Sequence, residues 1–241
     1  MTTELEINSE PPAIPPLCPA PCYTANLYHS QDGIRIFCGD NRIIAPQLGQ
    51  YDLLLTDPPY GIDADNRKRA LSRGNRAAPT DYGESNWDSE PAGDDVLAMM
   101  MAKAKWQIIW GGNYYALPPK RGWLVWDKMG KADTDFATCE LAWTNLKMSC
   151  RRIRYLWSGY WQGNMAEKEV RWHPTQKPQP VMEWALGFVP ECKTLLDPWM
   201  GSGTTLIAAR AKGMQADGIE INEKYCEAAK QRLSQGVLLA V

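Results

Sequence analysis

A glycine-rich bend set between an apolar strand and a helix constrains this chain more than any other stretch. Thr194-Leu195-Leu196-Asp197 reads as a strand, Pro198-Trp199-Met200-Gly201-Ser202-Gly203-Thr204-Thr205 as the bend, and a helix then runs to about Lys212, where Gly213 stops it. A second strand, Gln215–Ile219, ends at Glu220, and a helix over Glu223–Leu233 follows. Strand, Gly-x-Gly turn, helix, strand and acid is the layout of a nucleotide-type site. The glycines let the backbone approach a ligand closely, and an acid about 20 residues on can accept both ribose hydroxyls. A pyrophosphate site usually has a third glycine, but that position is Leu206, and there is no Walker lysine. The bend therefore suits a smaller adenosine ligand without a phosphate pair, and S-adenosyl-L-methionine fits.

A second constrained corner lies far upstream. The apolar run Tyr51-Asp52-Leu53-Leu54-Leu55-Thr56 has strand length and leads into Asp57-Pro58-Pro59-Tyr60 and Gly61. Neither proline can donate to a ladder and each fixes its own φ, so the strand must stop there. The corner holds one carboxylate (Asp57), one carbonyl (Pro58) and one aromatic ring (Tyr60) in a stiff relation. That set suits an exocyclic amine on a flat heteroaromatic base: two acceptors take its N–H groups while the ring stacks on its face. Pulling such an amine toward a tetrahedral geometry frees its delocalised lone pair and stabilises the charge that grows on attack. Taken alone, the tetrapeptide is equally a strand followed by a proline turn with a capping Asp.

The chain has 241 residues, 44% hydrophobic content and a formal charge of −2, which suits one domain, or one domain with a large insertion. No apolar run approaches the ~20 residues of a membrane span, and no secretory pattern opens the chain, so a cytoplasmic home is expected. The seven cysteines are odd in number and scattered, without zinc spacing, and are read as free thiols with no metal. A pI near 5.8 argues against a nonspecific nucleic-acid binder. Basic residues nevertheless cluster at Arg67, Lys68, Arg69, Arg73 and Arg76 and at Lys147, Arg151, Arg152 and Arg154. Such patches are either solvated surface runs or steer an anionic partner.

Residues 1–22 carry six prolines and read as a flexible leader, with the folded part over 23–241. The fold is expected to begin at Leu27-Tyr28-His29 with a turn at Gln31-Asp32-Gly33, and strands are expected at 34–38, 107–110, 123–127 and 140–144. Helices are expected at about 41–49, 93–105 and from Val181 to Val189. The polar stretch 62–92 is too long for an ordinary loop. Residues 146–172 interleave Arg151, Arg152, Arg154 and Arg171 with Tyr155, Trp157, Tyr160, Trp161 and Trp172. That pattern fits either amphipathic strands facing a core or a surface for bases and phosphates.

Asp57-Pro58-Pro59-Tyr60, followed by Asp197-Pro198-Trp199-Met200-Gly201-Ser202-Gly203-Thr204-Thr205, resembles the amino-methyltransferases of DNA. His173-Pro174-Thr175-Gln176-Lys177-Pro178, just upstream of the second motif, completes the pattern. Catalytic motif first and cofactor motif last is the order of the β group. Gly112-Asn113-Tyr114-Tyr115 and Trp123-Leu124-Val125-Trp126-Asp127-Lys128 are similar to the small phage-type adenine enzymes of that group. The resemblance covers about residues 34–234 and departs at Trp199, where the family usually has Phe.

The resemblance implies an α/β architecture. This is the Rossmann-like S-adenosylmethionine-dependent methyltransferase fold, circularly permuted, with a mostly parallel sheet, helices on both faces, and the strands ending at Asp57 and Asp197 side by side. It implies that Gly201, Ser202, Gly203 and Thr204 wrap the methionine part of S-adenosyl-L-methionine, beside Asp57, Asp197 and Trp199, and that Glu220 takes the ribose. Asp40 would lie near the adenine, and Thr175, Gln176 and Lys177 on the far side. Asp57, Pro58, Pro59 and Tyr60 would form the catalytic corner and receive a base flipped out of double-stranded DNA. Arg67, Lys68, Arg69, Arg73, Arg151, Arg152 and Arg154 are candidates for DNA contact. Asp at the first motif position favours N6 of adenine, and N4 of cytosine, RNA or a protein glutamine stay open. The small size suggests a phage origin and leaves room for a homodimer and a partnered restriction enzyme.

Overall fold

The computed structural model describes residues 26–61, 91–130, 137–158, 161–166, 168–172 and 175–235. The leader, the stretch containing Arg67, Lys68, Arg69, Arg73 and Arg76, and Tyr160, His173 and Pro174 lie outside the described residues.

The strands in chain order are β1 (Leu27–Gln31), β2 (Ile34–Cys38), β3 (Tyr51–Thr56), β4 (Ala104–Trp110), β5 (Trp123–Asp127), β6 (Cys139–Thr144), β7 (Arg151–Arg154), β8 (Trp157–Ser158), β9 (Trp161–Gln162), β10 (Thr194–Asp197) and β11 (Gln215–Glu220). The helices are α1 (Asn41–Ile44), α2 (Asp94–Met101), α3 (Gln179–Leu186), α4 (Thr204–Ala211) and α5 (Glu223–Gln235). Nine strands form one sheet in the order β1-β2-β11-β10-β3-β4-β6-β5-β7. Its centre, β2 to β4, is parallel throughout, while β1 and β6 run against their neighbours. β8 and β9 form a separate hairpin.

Helices cover both faces, which is why the central strands are apolar on both sides. Leu53, Leu55, Leu195 and Ala216 point into one layer with α3, α4 and α5. Tyr51, Leu54, Leu196 and Ile219 point into the other with α1 and α2. β3 and β10, far apart in the chain, pair in register Leu53↔Leu195 and Leu54↔Leu196. Side chains tie the two strands at both ends. At the start the Asp52 carboxylate accepts from the backbone N–H groups of Lys193 (2.7 Å) and Thr194 (2.9 Å). At the finish the Thr56 hydroxyl donates to Asp197 Oδ1 at 2.7 Å.

Three expected boundaries move. The helix expected over 93–105 ends at Met101, and Ala104 already belongs to β4, because the Lys103 carbonyl turns to accept from Tyr51 N–H. The helix expected over 41–49 is one turn of α-helix followed by a 3-10 turn at Ala45–Gln47, since Pro46 has no N–H to continue the ladder. α3 stops at Leu186, leaving Phe188 and Val189 in the turn that follows.

Candidate active site

Four neighbouring parallel strands each bring one carboxylate to the same end of the sheet. Asp40 follows β2, Glu220 ends β11, Asp197 ends β10 and Asp57 follows β3. Between them lies a cavity of about 630 Å³, lined by all four acids and by Thr175, Gln176, Lys177, Trp199, Gly201, Ser202 and Thr204. This is the carboxyl edge of an open α/β sheet, where ligands of such folds sit.

Each acid has its own setting. The Arg42 guanidinium, 2.6 Å away, holds the Asp40 carboxyl below the usual carboxylate range, and Asp40 also caps α1 through Arg42 N–H. Asp197 is buried and pushed up to about 6 by that burial, against the Thr56 hydroxyl and Trp199 N–H that donate to it. Burial likewise pushes Glu220 up to about 7, although it accepts from Gly201 N–H (3.1 Å) and Asn222 N–H (2.8 Å). A buried carboxylate held by backbone N–H groups and facing a cavity is suited to accepting hydroxyl donors.

The bend is braced from behind by Arg232 of α5. Its guanidinium is buried, which lowers it to about 10, and donates to the Ser202 carbonyl at 2.7 Å and the Thr204 hydroxyl at 3.0 Å. Gly203 lies outside the lining. It opens α4 at φ +78°, and a Cβ there would stand 2.8 Å from the Ala229 methyl group, so its glycine serves helix packing. Gln176 accepts from Trp172 N–H at 2.9 Å and from the Ser202 hydroxyl at 3.4 Å, which holds the segment before α3 against the bend.

The proline corner forms the other wall. Asp57 and Pro59 line the cavity, whereas Pro58 between them is buried and outside the lining. The Tyr60 hydroxyl donates to Asp57 Oδ1, and Lys177 Nζ lies 2.5 Å from Asp57 Oδ2. Tyr60 itself stands outside the lining with its ring stacked on Tyr114, centroids 4.8 Å apart at 16°. Gly111, at φ +65°, lets that ring sit where a Cβ would come within 1.9 Å of it. Lys177 also makes an ionic contact of 2.8 Å with Glu140 of β6, which Lys128 meets from the other side at 2.5 Å. Burial pushes the Asp57 carboxyl up, against the pull of Lys177. Burial also acts on Glu140, but its two ammonium neighbours override it and bring that carboxyl down to about 2.

Arg151, Arg152 and Arg154 lie exposed on the edge strand β7. Arg154 sits opposite Asp127 at the cavity end of the sheet, with Nε 3.2 Å from its carboxylate. Within the 146–172 segment Ile153 and Trp157 pack with the core, as amphipathic strands would, while Trp161 is 61% exposed. Glu140, Arg232 and Tyr114 escaped the sequence reading as site residues. An acid inside a half-apolar strand and an arginine on the buried face of α5 were the available signals.

The stretch 124–231 matches the DNA methylase family model for N6 and N4 enzymes. Over 80 residues the chain is 39% identical to the Type II methyltransferase M2.LlaDCHI of Lactococcus lactis subsp. cremoris, covering 32% of this chain and 30% of that relative. The chain thus spans under a third of the length of that curated relative. Among solved structures, the M1.HpyAVI–SAM complex superimposes with a TM-score of 0.50 at 19% identity, covering 83% of this chain and 98% of that one. The cytosine-N4-specific PvuII DNA methyltransferase does so with a TM-score of 0.50 at 11% identity, covering 83% and 86%. At these identities the two structural likenesses speak for the fold alone. The family match and the pairing of the two motif-bearing strands, β3 and β10, make the chain similar to the N6/N4 family of DNA methylases.

Proposed function

We propose that this protein transfers a methyl group from S-adenosyl-L-methionine to the exocyclic N6 amine of an adenine extruded from double-stranded DNA. The observation that carries the reading is the pairing of β3 with β10, locked by the Thr56–Asp197 hydrogen bond, which sets the proline corner and the glycine bend on one cavity.

The donor set fits the methyl donor. Glu220 would accept the ribose hydroxyls, Asp40 would lie by the adenine, and Trp199 offers an aromatic face. Gly201, Ser202 and Thr204 would hold the amino-acid end. A cavity edged by four carboxylates favours a cationic ligand and disfavours phosphates. When bound, S-adenosyl-L-methionine supplies a methyl group on a sulfonium centre.

The rest falls to the chain. Asp57 and the Pro58 carbonyl accept the two N–H groups of the target amine, and the carboxylate stabilises the positive charge that develops there. The amine must lose one proton as it gains the methyl group, and Asp57 is the base placed to take it. Tyr60 exchanges its stack on Tyr114 for one on the base. The flipped nucleotide reaches the corner only when out of the duplex. Arg151, Arg152 and Arg154 contact the DNA backbone, as does the stretch containing Arg67, Lys68, Arg69 and Arg73. Residues 23–241 form the methyltransferase domain.

Incubation with labelled S-adenosyl-L-methionine and duplex DNA, followed by digestion to nucleosides, tests this. Label in N6-methyladenine is expected. Label in N4-methylcytosine would overturn the choice of base, and absence of label from all nucleosides would overturn the reaction.

A further inference from the structure

A buried lysine to which the transfer just described gives no part stands against the reacting carboxylate. Lys177 precedes α3, and its side chain is 5% exposed. Its ammonium touches Asp57 at 2.5 Å and Glu140 at 2.8 Å, and Glu140 in turn meets Lys128 at 2.5 Å. Charges therefore alternate from the cavity wall through Lys177 to β6 and the residue after β5. The rings of Tyr60 and Trp110 lie 5.6 and 5.7 Å from the same ammonium and hold it in place. Of the two acids, only Asp57 lines the cavity.

Resting on the methyl-transfer reading, we propose that Lys177 is a positioning residue that keeps the Asp57 carboxylate ionised and aimed at the target amine, and that Glu140 sets how much of the lysine's field Asp57 receives. A carboxylate closed off from water by an incoming base takes up a proton unless a cation opposes it. A protonated Asp57 would have one fewer acceptor for the amine and could take no proton from it. Lys177 supplies the cation, and its stem enters from the segment that also packs on the bend. Glu140 keeps Lys177 charged, yet as an anion it also pushes Asp57 toward protonation. The other titratable groups facing Asp57 are the Tyr60 hydroxyl, which donates to it, and Asp197 at the end of β10. Both stay in place in the variants below.

The two partners of the chain thus act on Asp57 with opposite sign, which mere packing would not do. The test is the rate of labelled-methyl transfer to duplex DNA, kcat, from about pH 5 to about pH 9. In Lys177→Met the acid limb should move to higher pH by about one unit or more, and Lys177→Arg should restore it toward the wild-type position. In Glu140→Gln the limb should move to lower pH by about half a unit or more. If Lys177→Met does not fold, the direction of the Glu140→Gln shift decides. An acid limb in Glu140→Gln that coincides with wild type, or moves upward, overturns the inference. Wild-type protein that labels no DNA overturns the methyl-transfer reading instead.

Discussion

Glu220 combines burial, which raises its carboxyl to about 7, with two backbone N–H donors that favour the ionised form. Because the folded value lies above the ordinary carboxylate range, the neutral acid favours the fold. That contribution is complete below the unfolded value, about 4.3, and is lost as pH rises through about 7. Ribose hydroxyls, in contrast, are accepted by the ionised form. Affinity for S-adenosyl-L-methionine should therefore be about tenfold weaker at pH 6 than at pH 8, read by titration calorimetry, while Glu220→Gln should flatten that dependence. Asp57, Asp197 and Glu220 were legible in the sequence because each ends a strand inside a local motif. Glu140, Arg232 and Tyr114 were not, because each reaches the site across the tertiary fold, from β6, from α5 and from the turn after β4.

At the level of the element, the end of β4 decides where Tyr60 stands. A methyl group at position 111 would overlap the Tyr60 ring and would need a backbone conformation, φ +65°, that side chains disfavour. Gly111→Ala should lower the transfer rate about tenfold or more, with affinity for S-adenosyl-L-methionine within about twofold of wild type, because only the ring proposed to stack on the base is displaced. β11 is held to β2 and β3 by a different device. Asp217, 2% exposed, accepts two hydrogen bonds from Arg35, at 2.7 and 2.6 Å, and one from the Tyr51 hydroxyl. Asp217→Ala strands a partly buried guanidinium and should cost about 3 kcal/mol in urea unfolding. The strand–bend–helix–strand unit at 194–220 was readable because turn chemistry and period agree there. The end of α2 was not: the period of Val96, Leu97, Met100 and Met101 carries on into Ala104, and the tertiary bond from Tyr51 to Lys103 settles the boundary.

For the molecule as a whole, the sequence carried two motifs and their order, but nothing local said that they would touch. The contact comes from β3 and β10 lying side by side, an arrangement fixed by Leu53↔Leu195 pairing and by Asp52 and Thr56 at the two ends. Edge features were the least legible. Among the described residues β7 is the last strand of the sheet, and Arg151, Arg152 and Arg154 lie exposed on it, as charged residues commonly do on an edge; the same exposure makes them available to phosphates. The proposed reaction needs one cavity with two separable duties, donor binding at the bend and amine activation at the proline corner. The most direct test is labelled-methyl transfer to duplex DNA by Asp57→Ala protein saturated with S-adenosyl-L-methionine. Donor affinity within about threefold of wild type is expected, with a transfer rate reduced about a thousandfold or more. Transfer at near wild-type rate would contradict the role proposed for Asp57.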